Sequence, residues 1–182
     1  MPANATTQQA LDALTKQEVG GPGSGSSSST TPGGESGYEP AYPSNNNTPP
    51  VDASVQGFIT RFFEVSDDPD RNDEWVGFFG EDAALTMGSD VARGKDELRE
   101  LRGRMWQAVE ARKHRLVKVF PAGGFSGGQQ SADEAEFMIF GAVAYRMREG
   151  KGDAVVGWAG HAQLRRDGAG APWRFGFYRV YK

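Results

Sequence analysis

The sequence predicts an α+β fold in which a curved antiparallel sheet wraps around three helices and leaves a cone-shaped hollow. Three observations predict this fold. Apolar residues recur at helical spacing in three segments between residues 52 and 114, and long segments after residue 114 alternate between apolar and polar side chains. Short glycine-containing turns join those alternating segments, which is typical of an antiparallel meander. The expected order of elements is therefore α-α-β-β-α-β-β-β-β.

The first 50 residues differ from the rest and are predicted to form a disordered tail, so that residues 51–182 form one domain. From Gly20 to Pro50 the chain is rich in glycine, serine, proline and asparagine, which bury too little apolar surface to offset the entropy lost on ordering. Tyr38 and Tyr42 are isolated in this stretch, and isolated aromatic residues in linkers usually make no fixed contact.

Charge and cysteine content narrow the classes of partner and compartment. Residues 1–50 carry a net charge of −3 (one base against four acids) and residues 51–182 a net charge of −1 (nineteen against twenty). Neither part has the basic surface that nucleic acid requires. The chain has no cysteine, and no secretory signal or membrane-spanning apolar run is visible. We therefore expect a cytoplasmic protein that binds neither nucleic acid nor membrane.

The first predicted helix begins after Asp52, whose carboxylate can cap it. Apolar residues then recur at helical spacing, at Val55, Phe58, Ile59 and Phe62. Pro69 cannot extend a helix and ends this one. A second short helix is predicted to direct three aromatic side chains to one side: Trp75, Phe78 and Phe79.

A small hairpin, residues 84–87 and 90–93, is predicted before the third helix. The third helix is predicted to run from Gly94 to about His114, because acids lie in its first turn and bases in its last turn, where the helix dipole favours each. Its predicted buried stripe is Leu98, Leu101, Met105 and Val109, with Trp106 beside it. His114 then stands where this helix passes into a strand.

Four strands are predicted after the third helix, at residues 114–120, 136–148, 154–166 and 173–181. Glycines inside them indicate bulges or bends that curve the sheet: Gly141, Gly157, Gly160 and Gly176. A curved sheet with helices on its concave side encloses a natural site for a small molecule.

Six features in this order resemble the NTF2-like superfamily, and within it small SnoaL-like proteins of fungal type. They are Phe62-Phe63-Glu-Val-Ser-Asp67, Trp75-Val-Gly-Phe-Phe-Gly-Glu-Asp82, Gly94-Lys-Asp-Glu-Leu98, Met105-Trp106 through Lys113-His114, Trp158-Ala-Gly-His161 and Trp173-Arg-Phe-Gly-Phe-Tyr178. The resemblance covers roughly residues 52–181. It implies the NTF2-like cone, in a superfamily that includes polyketide cyclases, dehydratases and isomerases of secondary metabolism and members that only bind or dimerise.

Scytalone dehydratase, a distant relative in that superfamily, implies roles for single residues. Its aspartate after the first helix is similar to Asp67, and its histidine on the strand after the third helix is similar to His114. Its polar residues on the penultimate strand fall near His161 and Gln163. The resemblance thus implies Asp67, His114 and His161 as catalytic residues and Gln163 as substrate-binding. This chain has no counterpart of that enzyme's second catalytic histidine or of its two-tyrosine water site.

Each of these residues also has a structural interpretation. His114 can cap the C-terminus of a helix by donating to carbonyl oxygens. His161 can face solvent, or a dimer contact, on the outer surface of the sheet, because strand alternation shows two faces but not which one is inward. Asp67 can simply close one helix before the next begins.

The apolar residues Phe62, Met105 and Trp106 are predicted to belong to the core and, in a hollow fold, to line the ligand site as well. The two histidines have no flanking ligand pattern for zinc, and the glycine-rich loop after Pro121 lacks the lysine of a phosphate loop. No metal and no cofactor are therefore expected.

Two functions remain open from the sequence. The first is a cofactor-independent lyase, cyclase or isomerase acting on a small apolar or polycyclic ligand, in which His114 moves a proton and Asp67 holds His114. The second is a non-catalytic module that binds such a ligand or forms a homodimer through the sheet. The distance between His114 and Asp67, and the surface that His114 faces, distinguish them.

Overall fold

A computed structural model of the chain describes residues 37–43, 50–123, 132–150 and 152–182. The disorder predicted for the rest of residues 1–50 lies outside the described residues. The helices are α1 (Ala53–Ser66), α2 (Asn72–Gly77) and α3 (Gly94–Met105). The strands are β1 (Phe79–Met87), β2 (Asp90–Arg93), β3 (Val109–Gly123), β4 (Glu134–Met147), β5 (Asp153–Arg165) and β6 (Arg174–Tyr181). This order confirms the prediction, with a short 3-10 turn at Arg148–Gly150 in addition.

Helix α1 forms as its sequence pattern predicts. The carboxylate of Asp52 accepts a hydrogen bond from the backbone N–H of Ser54 at 2.8 Å and so caps the first turn. The predicted apolar stripe is buried against the sheet: Val55, Phe58, Ile59 and Phe62. The helix ends at Ser66, with Asp67 as the residue that caps it. This position brings Asp67 to the end of a rigid, packed element.

The six strands form one curved sheet in the order β2-β1-β6-β5-β4-β3. Neighbours pair antiparallel except β1 and β6, which pair parallel. The sheet is therefore mixed, and the prediction of a purely antiparallel sheet is wrong at this pair. The reason is that β1 and β6 are distant in sequence, so no turn between them reveals their relative direction.

The boundary between α3 and β3 differs from the prediction. Helix α3 ends at Met105, and strand β3 already begins at Val109, so His114 lies inside a strand and not at the end of a helix. Charged residues on the inner face of β3 cause the error, because Arg112 and His114 occupy positions where a strand pattern predicts apolar side chains. Phe79, predicted in the second helix, likewise begins β1.

Residues 37–43, predicted to belong to the disordered tail, lie along the edge of β3. Ala41 forms a parallel bridge with Lys118, and its backbone N–H donates to the carbonyl oxygen of Val117 at 3.0 Å. The Leu116 N–H donates to the carbonyl oxygen of Gly37 at 2.9 Å. This short segment therefore extends the sheet beyond its last strand, and Tyr38 is buried against the domain.

The two faces of the sheet differ in what they contact. On β5 the inner positions are Trp158, Ala162 and Leu164, which belong to the main core with the helices. His161 and Gln163 alternate with these residues, point to the outer face and are only partly buried. Within the described residues, no helix is long and apolar enough to cross a membrane.

Candidate active site

Asp67 and His114 form a hydrogen-bonded pair at the inner face of β3. The Nδ1 atom of His114 lies 2.5 Å from Oδ1 of Asp67, and the backbone N–H of His114 donates to Oδ2 of Asp67 at 2.6 Å. The two side chains are 14% and 6% exposed. Because the carboxylate holds both the backbone and the ring, it fixes the imidazole orientation and leaves Nε2 as the ring nitrogen for chemistry.

Tyr38 holds the carboxylate of Asp67 from the other side. Its hydroxyl donates to Oδ2 of Asp67 at 2.9 Å, and the ammonium of Lys113 lies 3.8 Å from the centre of its ring. The hydroxyl of Thr60 on α1 donates to the backbone oxygen of Tyr38 at 3.3 Å. The segment 37–43, which the sequence predicts to be part of a linker, thus supplies a contact to the candidate pair.

The environment sets the protonation of the pair. Burial of the ring lowers the pKa of His114 below its ordinary value of 6.5, and the nearby positive charge of Arg112 acts in the same direction. For Asp67, burial alone raises the pKa, but the interactions with His114 and Arg112 outweigh it and hold the pKa below 3.8. At neutral pH the pair is therefore a carboxylate accepting from the Nδ1–H of a neutral imidazole.

Two buried arginines close the C-terminal end of α1. The guanidinium of Arg102 donates to the carbonyl oxygens of Val65, Ser66 and Asp68 at distances of 2.7–3.1 Å. Arg112 donates through Nε and Nη2 to the carbonyl oxygen of Ser66. These bonds satisfy carbonyls that have no partner within the helix, and they fix the position of Asp67 immediately afterwards.

A cavity of about 460 Å³ lies between the helices and the inner face of the sheet. His114 and Arg112 line it together with Ser66, Tyr145 and Tyr178. Apolar and aromatic side chains form most of the remaining wall: Phe62, Phe63, Trp75, Leu85, Met87, Met105, Val109, Val143, Met147, Val156, Trp158 and Val180. This volume and lining match those of sites for small organic molecules.

Of the three apolar residues predicted to line the ligand site, two lie at the cavity wall and one lies behind it. Phe62 and Met105 line the cavity, and their role in binding a substrate stays a prediction. Trp106 is buried behind the wall, where its ring lies 4.6 Å from the guanidinium carbon of Arg112 and 5.1 Å from that of Arg102. It therefore supports Arg112 and is not among the residues that line the cavity.

His161 and Gln163 lie away from this cavity, on the outer face of the sheet. The Nε2 atom of His161 is 2.6 Å from Oε1 of Glu136, and the amide of Gln163 donates to the same oxygen at 3.0 Å. The hydrogen bonds to Gln163 and His161 lower the pKa of Glu136 even though its partial burial acts in the opposite direction. The structure thus brings Asp67 and His114 together and places His161 and Gln163 elsewhere.

Three polar residues of the cavity were missed by sequence reasoning: Arg112, Tyr145 and Tyr178. Arg112 and Tyr145 are direct partners on the neighbouring strands β3 and β4, and Tyr178 comes from β6. Burial raises the pKa of Tyr178, and Arg112 opposes that increase. Once β3 is known to begin at Val109, Arg112 can be identified because it lies two residues before His114 and so shares its face of the strand. No signal in the sequence indicated which faces of β4 and β6 point inward.

In the part of the chain that the structure describes, no three His, Cys, Asp or Glu side chains lie close enough together to hold a metal ion. A neutral imidazole, a carboxylate, a guanidinium and two phenols surround an apolar volume, and this set can move a proton and bind an oxygen atom.

Sequence comparisons match no family model and no curated protein. Solved structures do match. A scytalone dehydratase candidate from Novosphingobium aromaticivorans superposes with a TM-score of 0.60 at 13% identity over 70% of this chain and 80% of its own. A hexachlorocyclohexane dehydrochlorinase, LinA-type3 from Novosphingobium barchaimii, gives 0.59 at 15% identity over 71% and 84%.

ActVI-ORFA from Streptomyces coelicolor superposes with a TM-score of 0.56 at 16% identity, over 71% of this chain and 94% of its own. Identities this low carry the likeness of fold and nothing finer. The superpositions agree with the overall fold of this chain. The chain has the NTF2-like α+β cone fold.

Proposed function

We propose that the protein binds a small apolar or polycyclic molecule and acts on it as a cofactor-independent lyase, cyclase or isomerase. The observation that carries this proposal is the Asp67–His114 pair, with 2.5 Å between the carboxylate and Nδ1, at the wall of an aromatic cavity. Two of the structural neighbours are named for eliminations, a dehydratase and a dehydrochlorinase. An elimination and an isomerisation can both begin with removal of a proton from carbon.

The proposed chemistry follows from the orientation of the imidazole. Asp67 accepts from Nδ1–H, so Nε2 carries the lone pair and takes a proton from a substrate carbon next to a carbonyl group. The imidazolium that forms is stabilised by the carboxylate behind it. The proton then returns to the leaving group in an elimination, or to another carbon in an isomerisation. His161 and Gln163 take no part, because they lie on the other face of the sheet.

The second candidate function is binding without catalysis. It includes the association of two copies of the chain through the outer face of the sheet. Phe120 and Phe140 are 39% and 42% exposed, and their rings meet edge to face at 5.6 Å. Aromatic side chains exposed in a pair are typical of a contact surface. Sedimentation of the wild type and a Phe140→Ser variant tests this association: a dimer that becomes a monomer supports it, and a monomeric wild type rejects it.

Hydrogen–deuterium exchange tests the catalytic proposal without knowledge of the substrate. A panel of cyclic and aromatic ketones is incubated in D2O with the protein, and α-proton loss is followed by NMR. We expect at least one ketone to exchange its α-protons faster in the presence of the wild type than without protein. The His161→Gln variant is expected to give the same acceleration as the wild type. His114→Gln is expected to lower that rate by about 10²- to 10⁴-fold, the usual contribution of a general base. Exchange that is equally fast with His114→Gln contradicts the proposal.

A further inference from the structure

Arg112 has unused hydrogen-bonding capacity inside the cavity wall. A guanidinium has five N–H donors. In Arg112, Nε and one N–H of Nη2 donate to the carbonyl oxygen of Ser66. Among the described residues, no acceptor bonds the two N–H groups of Nη1 or the second N–H of Nη2. These three donors lie at the outer end of the guanidinium, in a side chain that is only 5% exposed and lines the cavity.

The charges around Arg112 are also unbalanced. Arg102 and Arg112 are both buried, and Asp67 is the buried carboxylate near them, with its Oδ1 3.6 Å from Nε of Arg112. Arg102 uses Nε, Nη1 and Nη2 on Asn72 and on backbone carbonyls. With His114 neutral, the buried groups carry two positive charges and one negative charge, and the partly buried carboxylate of Asp68 interacts with the charge of Arg102. A buried charge without a partner is costly, so this site favours an anion.

The neighbours of Arg112 complete a pocket for an anionic oxygen. Tyr145 stands directly opposite Arg112 on β4, and Tyr178 lies close enough to Arg112 to interact with its charge. Phenol hydroxyls can donate to an anion, and the indole of Trp158 adds a buried N–H that has no partner within the described residues. Two further charged residues, Asp90 and Lys182, line the cavity, and the ammonium of Lys182 lies 5.9 Å from the centre of the Tyr145 ring.

We propose that the cavity takes a planar aromatic molecule bearing a carboxylate, and that Arg112 is the residue that pairs with that carboxylate. The three available N–H groups on Nη1 and Nη2 suit a bidentate contact to two oxygens. The proposal deepens the proposed function, on which it rests in placing this molecule in the same cavity as His114.

The pairing also fixes where His114 acts. Arg112 and His114 are two residues apart on one face of β3, so their Cα atoms are separated by roughly 7 Å. A carboxylate held by Arg112 therefore places the carbon skeleton, and not the carboxylate, beside Nε2 of His114. The proton that His114 removes belongs to a carbon separated from the carboxylate by several bonds.

Isothermal titration with two probes of equal shape tests the pairing. The probes are 2-naphthoate and its neutral isostere 2-naphthamide, at pH 7.5. We expect the wild type to bind the carboxylate about 10- to 100-fold more tightly than the amide, which is the usual range for a hydrogen bond to a charged group. An amide that binds as tightly as the acid overturns the proposal, and so does absence of binding of either probe at millimolar concentration.

Three variants assign the preference to Arg112. Arg112→Gln is expected to reduce it to less than about threefold, because the charge and the fork are both lost. Arg104→Gln, which removes the same charge from the exposed face of α3, is expected to keep it. Arg112→Lys retains a charge but loses the fork and is expected to keep only part of the preference. Equal effects of Arg104→Gln and Arg112→Gln overturn the assignment.

The result of the titration can be distinguished from the result of the hydrogen–deuterium exchange experiment. If Arg112→Gln fails to fold, the ratio of the two probes on the wild type and on Arg112→Lys still decides, because both proteins keep a cation that supports α1. Loss of the carboxylate preference with His114-dependent exchange intact rejects only the ligand class. A carboxylate preference without any exchange rejects only catalysis.

Discussion

The sheet carries two histidine–carboxylate pairs, one on each face, and they differ in their surroundings more than in their geometry. His114 and Asp67 meet at 2.5 Å on the inner face, and His161 and Glu136 meet at 2.6 Å on the outer face. The inner side chains are 14% and 6% exposed, whereas the outer ones are 26% and 14% exposed. A short hydrogen bond between imidazole and carboxylate is therefore not by itself a sign of function.

The two histidine–carboxylate pairs differ in the residues that surround them. Asp67 ends a packed helix, accepts from the backbone of His114 and from Tyr38, and lies beside the buried charge of Arg112. Glu136 is hydrogen-bonded to Gln163 and His161 on the outer face of the sheet. The ring of His114 lies at the wall of a largely apolar cavity, whereas His161 is not among the residues that line it. At His114, therefore, the imidazole is buried, its orientation is fixed by hydrogen bonds, and it lies where a ligand in the cavity can reach it.

The largest expected difference between the two pairs concerns folding stability. Asp67→Asn removes the carboxylate that compensates Arg112 and that accepts from His114 and Tyr38. We expect it to lower the free energy of unfolding by about 3–5 kcal/mol, as for a broken buried ion pair. Glu136→Gln is the matched control and should cost less than about 1 kcal/mol. Urea unfolding measures both, and equal losses would remove the distinction.

The pH dependence of stability sharpens the comparison next. Because the pKa of His114 is lowered in the folded state, the unfolded chain binds this proton more readily, and the stability contribution is complete above pH 6.5. It is lost as the pH falls through the folded pKa, with a slope of at most about 1.4 kcal/mol per pH unit. Asp67, whose pKa lies below 3.8, keeps its contribution over this range.

Unfolding free energies between pH 7.5 and 5 therefore decline in the wild type and in His161→Gln. His114→Gln should show a flatter profile over the same range. A profile of His114→Gln that is as steep as that of the wild type would mean that another group causes the decline.

The smallest expected effect separates the two tyrosines of the segment 37–43. Tyr38→Phe removes the hydrogen bond to Asp67 and is expected to cost about 1 kcal/mol. The hydroxyl of Tyr42 is buried without a partner among the described residues, so Tyr42→Phe should be neutral or slightly stabilising. Thermal or urea unfolding compares them. If the order is reversed, the contact between Tyr38 and Asp67 does not stabilise the domain.

The sequence predicts most accurately where apolar periodicity and burial agree. The stripe from Val55 to Phe62 and the cap at Asp52 are confirmed, because a core-facing helix needs that spacing. The start of β3 was missed because its inner face carries Arg112 and His114, which are buried through hydrogen bonds and not through hydrophobicity. Departures from the pattern of this kind tend to mark functional sites.

Other features of the site depend on contacts between distant parts of the chain. The hydrogen bond from Tyr38 to Asp67 joins a low-complexity segment to the end of a helix, and composition alone gives no sign of it. The direction of the His161 side chain could not be predicted from the sequence. The burial of Trp158 and Ala162 in the structure shows which face of β5 points inward. The parallel pairing of β1 with β6 likewise has no local signal.

Nitrogen-15 NMR of the imidazole rings tests the central claim most directly. The chain has two histidines, so the spectrum of His161→Gln assigns His114. We predict that at pH 7 Nδ1 of His114 is protonated and Nε2 is not, and that this form persists until the pH falls below 6.5. A doubly protonated ring at pH 7, or a proton on Nε2 with Nδ1 bare, would contradict the role of His114 as the base of this cavity.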